Sequence, residues 1–228
     1  MRELFNRELE QVGDDLVQMA THVATAIEQA SIALKKADLS LAEKVIDADV
    51  HIDDLERVLD ERCVDLLARQ GPVAGDLRLV VTALRMSASI ERMGDLARHV
   101  AQIARGRFPQ RAVPHELAHT FDEMSAAAVN AARSVAELLA SRDLELAARI
   151  EAADDILDAL HRETFRATLT QQDAFSSQQI VDITLLGRYY ERFGDHAVSV
   201  ARRVVYLVTG DAASFTTEGY VDTGDAYK

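Results

Sequence analysis

The sequence predicts an all-α fold of six long helices, arranged as two tandem, pseudo-repeated three-helix bundles. Three observations lead there. Strong helix formers dominate the 228 residues, which include only three prolines and ten glycines. Apolar residues recur at spacings of three and four, the period of one helix face. The second half of the chain also repeats the first, and such a repeat constrains architecture more than any single motif.

The helices follow in order. The first, near 3–36, carries Leu9, Val12, Leu16, Met19, Val23, Ala26 and Ala30 on one stripe. Asp38 opens a second, near 39–69, as an N-cap whose carboxylate satisfies orphan backbone N–H groups. Gly71-Pro72 interrupts the pattern before a third helix near 74–106. Its row Leu77, Val81, Leu84, Ala88, Glu91 and Asp95 reads as an apolar seam continued by two acids. Gly106, Pro109 and Pro114 break the chain again. The fourth helix, near 115–140, carries Leu117, Phe121, Met124, Ala128, Ala131, Val135 and Leu138. Asp143 caps a fifth, near 144–170, and the sixth runs near 176–209 to Gly210. The expected units are a first bundle over residues 1–108, a second over 112–210 and a flexible tail over 211–228.

Composition narrows the function. Hydrophobic residues make up 48% of the chain, enough for a real core. The formal net charge of −13 argues against a nucleic-acid partner, which requires a positive surface. The opening MRELFNRELEQ is charged and lacks the apolar centre of a signal peptide. No apolar run reaches the ~18 residues of a membrane span, so no direct membrane insertion is expected and a cytoplasmic location is. The single cysteine, Cys63, cannot close an internal disulfide and reads as a buried thiol.

The repeat carries acids in register. Asp38-Leu39-Ser40-Leu41-Ala42 matches Asp143-Leu144-Glu145-Leu146-Ala147 at an offset of 105. That offset also takes Asp49 to Asp154 and Asp53 to Asp158. After the next turn the offset becomes 100, so Glu91-Arg92-Met93-Gly94-Asp95 returns as Glu191-Arg192-Phe193-Gly194-Asp195. If the second and third helices fold back about Pro72, residues at one level have numbers summing to 144. Both Asp53/Glu91 and Asp49/Asp95 do so, while Asp158/Glu191 and Asp154/Asp195 both sum to 349. The second turn then falls beside Gln171-Gln172-Asp173. Each half should therefore gather four carboxylates at one level, two from each of two facing helices.

Clustered carboxylates repel and pay for desolvation, so something must neutralise them. Arginines such as Arg92, Arg98, Arg192 or Arg202 can do so on a solvated face; protonation can do so; and hard oxygen ligands at i and i+4 on two helices can hold one or two cations. On the metal reading the ligands are Asp49, Asp53, Glu91 and Asp95, and Asp154, Asp158, Glu191 and Asp195. The ion would be divalent or trivalent: iron, zinc, manganese or magnesium. Gly94 and Gly194 would clear space for a neighbouring helix or a hydrated ion. His99 lies one turn beyond Asp95 as an additional candidate, with Ser199 as its counterpart. His196 and His51 point away from the acids beside them. No Glu-x-x-His pair occurs at these levels, unlike the di-iron bundle enzymes, and no catalytic residue stands out.

At these residues the sequence resembles the PhoU family of bacterial phosphate-signalling proteins. The matching stretches are Pro72-Val73-Ala74-Gly75-Asp76-Leu77-Arg78, the two E-R-x-G-D segments, Arg188-Tyr189-Tyr190 before the second, and Tyr206-Leu207-Val208-Thr209-Gly210. The resemblance implies two similar, spectrin-like three-helix bundles side by side, with metal held through E/D-x-x-x-D pairs at the eight acids named above. It also implies a non-enzymatic negative regulator of the phosphate-starvation response. Such a regulator links the ATPase of the phosphate ABC transporter to a sensor histidine kinase, at the inner membrane face through its partners; a homodimer is expected as well, with its pairing face open. The competing readings are a di-metal carboxylate enzyme and a purely structural helical protein.

Overall fold

Helix signals in the sequence translate directly into elements. A computed structural model describes residues 2–170 and 174–211. Its helices are α1 (Arg2–Lys36), α2 (Leu39–Gln70), α3 (Ala74–Arg107), α4 (Ala118–Ser141), α5 (Leu144–Thr170) and α6 (Ser177–Thr209). A 3-10 turn at His115–Leu117 leads into α4. Asp38 caps α2 by accepting from the Leu41 N–H at 3.0 Å. Asp143 Oδ1 accepts from the Glu145 N–H at 2.9 Å and caps α5 in the same way. Gly71 closes α2 with φ of 51°, a left-handed conformation that glycine adopts without strain. Ser176 and Gln179 form a reciprocal capping box at the start of α6. The expected tail beyond Asp211 and the turn at Gln171–Asp173 lie outside the described residues.

α1, α2 and α3 pack as one bundle, and α4, α5 and α6 as the second. α1 also packs on α4 and α3 on α6, so these four helices form the centre while α2 and α5 lie outside. One apolar cluster runs through both halves. Within it Val12, Leu16, Met19 and Val23 of α1 and Phe121, Met124, Val135 and Leu138 of α4 are buried, as their stripes predict. The Tyr190 hydroxyl, fully buried, lies 3.0 Å from both Ser31 and Ser125 and ties α1, α4 and α6 together. At the far end of the α3–α6 contact, Arg107 grips Asp182, which is 2% exposed, with Nε 2.5 Å from Oδ2 and Nη2 3.0 Å from Oδ1. No described helix is long and apolar enough to cross a membrane.

The seam read on the third helix is corrected by the structure. Leu77, Val81 and Ala88 are exposed. The buried positions include Val80, Ala83, Met86, Ile90, Met93, Ala97, Val100 and Ala104. The reason is the number of neighbours: α3 touches α1, α2 and α6, so its core face is wide and lies to one side of the acid row. Glu91 and Asp95 therefore sit half-buried on the flank that meets α2, not on the core seam. Arg188, the repeat counterpart of Ala88, is likewise exposed.

Candidate functional site

The antiparallel α2 and α3 bring the first four acids to one level. Asp49 is 8% exposed, and burial lifts its carboxyl to about 6. Arg98 opposes that rise, while Asp53 and Asp95 add to it. Glu91 is pushed up to about 7, first by burial and then by Asp95. Two arginines of α3 answer this charge. Arg98 Nε lies 2.6 Å from Asp49 Oδ2, an ion pair without hydrogen-bond alignment, and its Nη2 donates to Asp95 Oδ1. Arg92 Nη1 donates to Asp95 Oδ2 at 2.8 Å, and its Nε lies 3.4 Å from Glu91. Arg98 thus bridges the two helices at the Asp49/Asp95 level.

α5 and α6 assemble the second four differently. Val198 stands where the repeat would place an arginine matching Arg98, and among the described residues no arginine ion pair joins Asp154 to Asp195. Arg188 Nη1 donates to Glu191 at 2.5 and 2.6 Å, and Arg162 lies 3.8 Å from Asp158. Asp154 is half-buried, and its Oδ1 is shut away from water with no hydrogen-bond partner among the described residues. Burial, then Asp195, Asp158 and Glu191, push its carboxyl to about 7. Burial followed by Asp195 also raises Glu191.

Both glycines of the repeated motif face these acids. A Cβ on Gly94 would lie 3.0 Å from Ile52 Cδ1 and 3.7 Å from Asp49 Oδ1. One on Gly194 would fall on Asp154 Oδ1 and lie 2.8 Å from Leu157 Cδ1. The missing side chain lets the facing helix and its aspartate approach, as the sequence reading anticipates.

Oxygen donors of this kind suit hard or borderline cations. Among the described residues no three of the donors converge closely enough to cage an ion as they stand. The second cluster has the better chemistry for one. Among the described residues no arginine bridges its two helices at these acids, and one carboxylate oxygen is buried without a partner. The first cluster already holds a cation of its own in Arg98.

The structure adds two residues to these sites and gives a third, Arg98, a definite partner across the helices. Arg98 follows Asp95 by three positions, a spacing that puts both on one helix face. Glu56, three beyond Asp53, is raised by burial, then by Asp60 and Asp53. The 105 offset puts His161 at the matching place in the second half. There it is half-buried, its Nε2 without a hydrogen-bond partner among the described residues and its ring 5.0 Å from that of Phe165. His99, by contrast, faces α6, with its ring 5.1 Å from that of Tyr189.

Comparison with known proteins agrees with the repeat. The model of the PhoU domain matches twice, over residues 16–104 and 121–204. A phosphate-specific transport system accessory protein PhoU homolog 2 of Mycobacterium tuberculosis is 45% identical over 92% of this chain and 99% of its own. A PhoU homolog 1 of Mycobacterium leprae is 44% identical over 92% of this chain and 95% of its own. The crystal structure of PhoU from Pseudomonas aeruginosa superposes with a TM-score of 0.82 at 31% identity, covering 91% of this chain and 100% of that one. The regulatory protein PhoU from Streptococcus pneumoniae shares the fold, with a TM-score of 0.77 at 23% identity over 91% of this chain and 98% of that one. With two matched repeats and near full-length relatives, the chain belongs to the PhoU family of phosphate-transport accessory proteins.

Proposed function

We propose that this protein is a metal-binding, non-enzymatic adaptor of the cytoplasm. It acts as a negative regulator of the phosphate-starvation response, coupling the ATPase of the phosphate ABC transporter to a sensor histidine kinase, and works as a homodimer. The family and the names of its relatives support the link to phosphate transport. The observation that carries the metal reading is Asp154 Oδ1, buried and unpartnered, facing the like charges of Asp158, Glu191 and Asp195. Asp154 and Asp158 on α5, with Glu191 and Asp195 on α6, would hold a cation that neutralises them. Asp49, Asp53, Glu91 and Asp95 would hold another only by giving up the bridge through Arg98. No redox or hydrolytic step is assigned to either cluster.

The test uses a bacterium deleted for its own copies of this gene. A reporter on a phosphate-starvation promoter should be active in phosphate-rich medium and silenced by the native chain. An Asp95→Ala/Asp195→Ala variant should fail to silence it. The variant should also retain less iron, manganese, zinc or magnesium on elemental analysis after each metal is supplied. Equal, near-zero metal in both proteins would overturn the metal reading. A reporter indifferent to the deletion would overturn the regulatory one.

A further inference from the structure

A separate cavity of about 410 Å³ opens between the repeats, where α3 meets α6. Its charged lining consists of Arg92 and Asp95 from α3 and Arg188 and Arg192 from α6, with His99 and His196 beside them. Three arginines converge there against one aspartate, in a chain whose net charge is −13. An acidic protein repels anions in general, so a concave surface lined by three guanidinium groups, one of them outside any ion pair among the described residues, marks a selective place for one.

The arginines are also differently prepared. Arg92 is anchored through Asp95, and Arg188 through Glu191. Those bonds fix the planes of two guanidinium groups and leave further N–H donors unused, since each carries five. Arg192 is exposed and makes no ion pair among the described residues. His99 and His196 each offer a ring N–H donor when neutral. Planar, forked donors approaching one concave volume from two helices match the geometry of a tetrahedral oxyanion.

We propose that this cavity binds a phosphate-type oxyanion, as inorganic phosphate or a short oligophosphate, with Arg192 as its principal ligand and Arg92 and Arg188 as oriented secondary donors. The volume exceeds that of one orthophosphate, so water completes the shell of the smaller anion and pyrophosphate displaces more of it. The site shares Asp95 with the first carboxylate cluster but needs no metal, and a test on chelator-treated protein separates it from the metal reading.

Full-length, chelator-treated protein is titrated calorimetrically with inorganic phosphate and, separately, with pyrophosphate, in chloride at constant ionic strength. One site per chain is expected, with Kd on the order of 0.1–1 mM for at least one of the two anions. Arg192→Gln should weaken binding at least about tenfold, and Arg192→Lys by less, because a point charge replaces the fork. Arg133→Gln, on α4 and paired with Glu28, should leave the affinity unchanged. Arg192 is exposed, so its variants keep the fold, which far-UV circular dichroism checks. Absence of binding by both anions up to about 10 mM would overturn the proposal. So would an Arg192→Gln protein that binds as tightly as the native chain, or an equal loss in Arg133→Gln.

Discussion

Gly194→Ala tests the contact on which the second carboxylate cluster depends. On the native backbone the new methyl group would overlap Asp154 Oδ1 and lie 2.8 Å from Leu157 Cδ1. Both separations are inside ordinary van der Waals contact. Alanine in a helix interior gains about 1 kcal/mol over glycine. Overpacking a closed contact costs about 1–3 kcal/mol. The balance is a net loss of about 1 kcal/mol, or a fall of roughly 2–4 °C in Tm for a chain of this size. Gly94→Ala supplies the control, because its methyl group meets the terminal atoms of Ile52 at 3.0 and 3.3 Å, and those can turn aside. That variant should lie near neutral. Urea unfolding is best read at pH 5, where Asp154, with a carboxyl near 7, is protonated. At that pH, displacing the side chain relieves no buried charge. Metal retention near neutral pH should fall in Gly194→Ala and hold in Gly94→Ala. A Gly194→Ala protein as stable as the native chain, with undiminished metal retention, would refute the reasoning.

Two further outcomes follow from buried charge. Arg107→Ala leaves the buried Asp182, among the described residues, with Gln178 alone at 3.1 Å, so a loss of about 3–5 kcal/mol in urea unfolding is expected; a loss below about 1 kcal/mol would contradict it. Asp49, Glu91 and Asp154 all have raised carboxyl values in the folded state, so between about pH 4 and 7 the folded chain holds protons that the unfolded chain releases. Stability of the metal-free protein should therefore fall as pH rises through that window and level off above it. Asp49 alone, moving from 3.8 to about 6 while 8% exposed, accounts for on the order of 3 kcal/mol. Urea midpoints at pH 5 and pH 8 check this, and a midpoint that rises with pH would contradict it.

Much of this arrangement was legible in the sequence because it rests on periodicity and integer register. Helix ends follow local chemistry at Asp38, Gly71 and Gly210, which needs no knowledge of neighbours. The levelling of Asp49 with Asp95 and of Asp154 with Asp195 follows from two antiparallel helices joined by a short turn. What the sequence concealed depends on lateral packing. The face of α3 that is buried is set by three neighbouring helices, and its own period cannot say where they stand. For the same reason Leu77 and Val81 read as core although they are exposed. The reach of Arg98 across to Asp49 was hidden too, because an arginine on a charged helix face has many partners in principle. Arg107 and Asp182, 75 residues apart, meet only because α3 and α6 do.

The shared core bears on the independence of the two copies. Tyr190 reaches a serine from each repeat, and one apolar cluster passes through both. Neither half closes its own interior, so a cut in the 108–114 connection would expose apolar faces on both pieces. The duplication is thereby locked: neither copy can be lost or allowed to drift where α1 meets α4 or α3 meets α6. The outer grooves beside α2 and α5 carry no such obligation. There Arg98 pairs with Asp49 in one cluster while Val198 takes the matching repeat position in the other half, so if both clusters hold metal as proposed, two sites of common origin would respond to different concentrations of one cation.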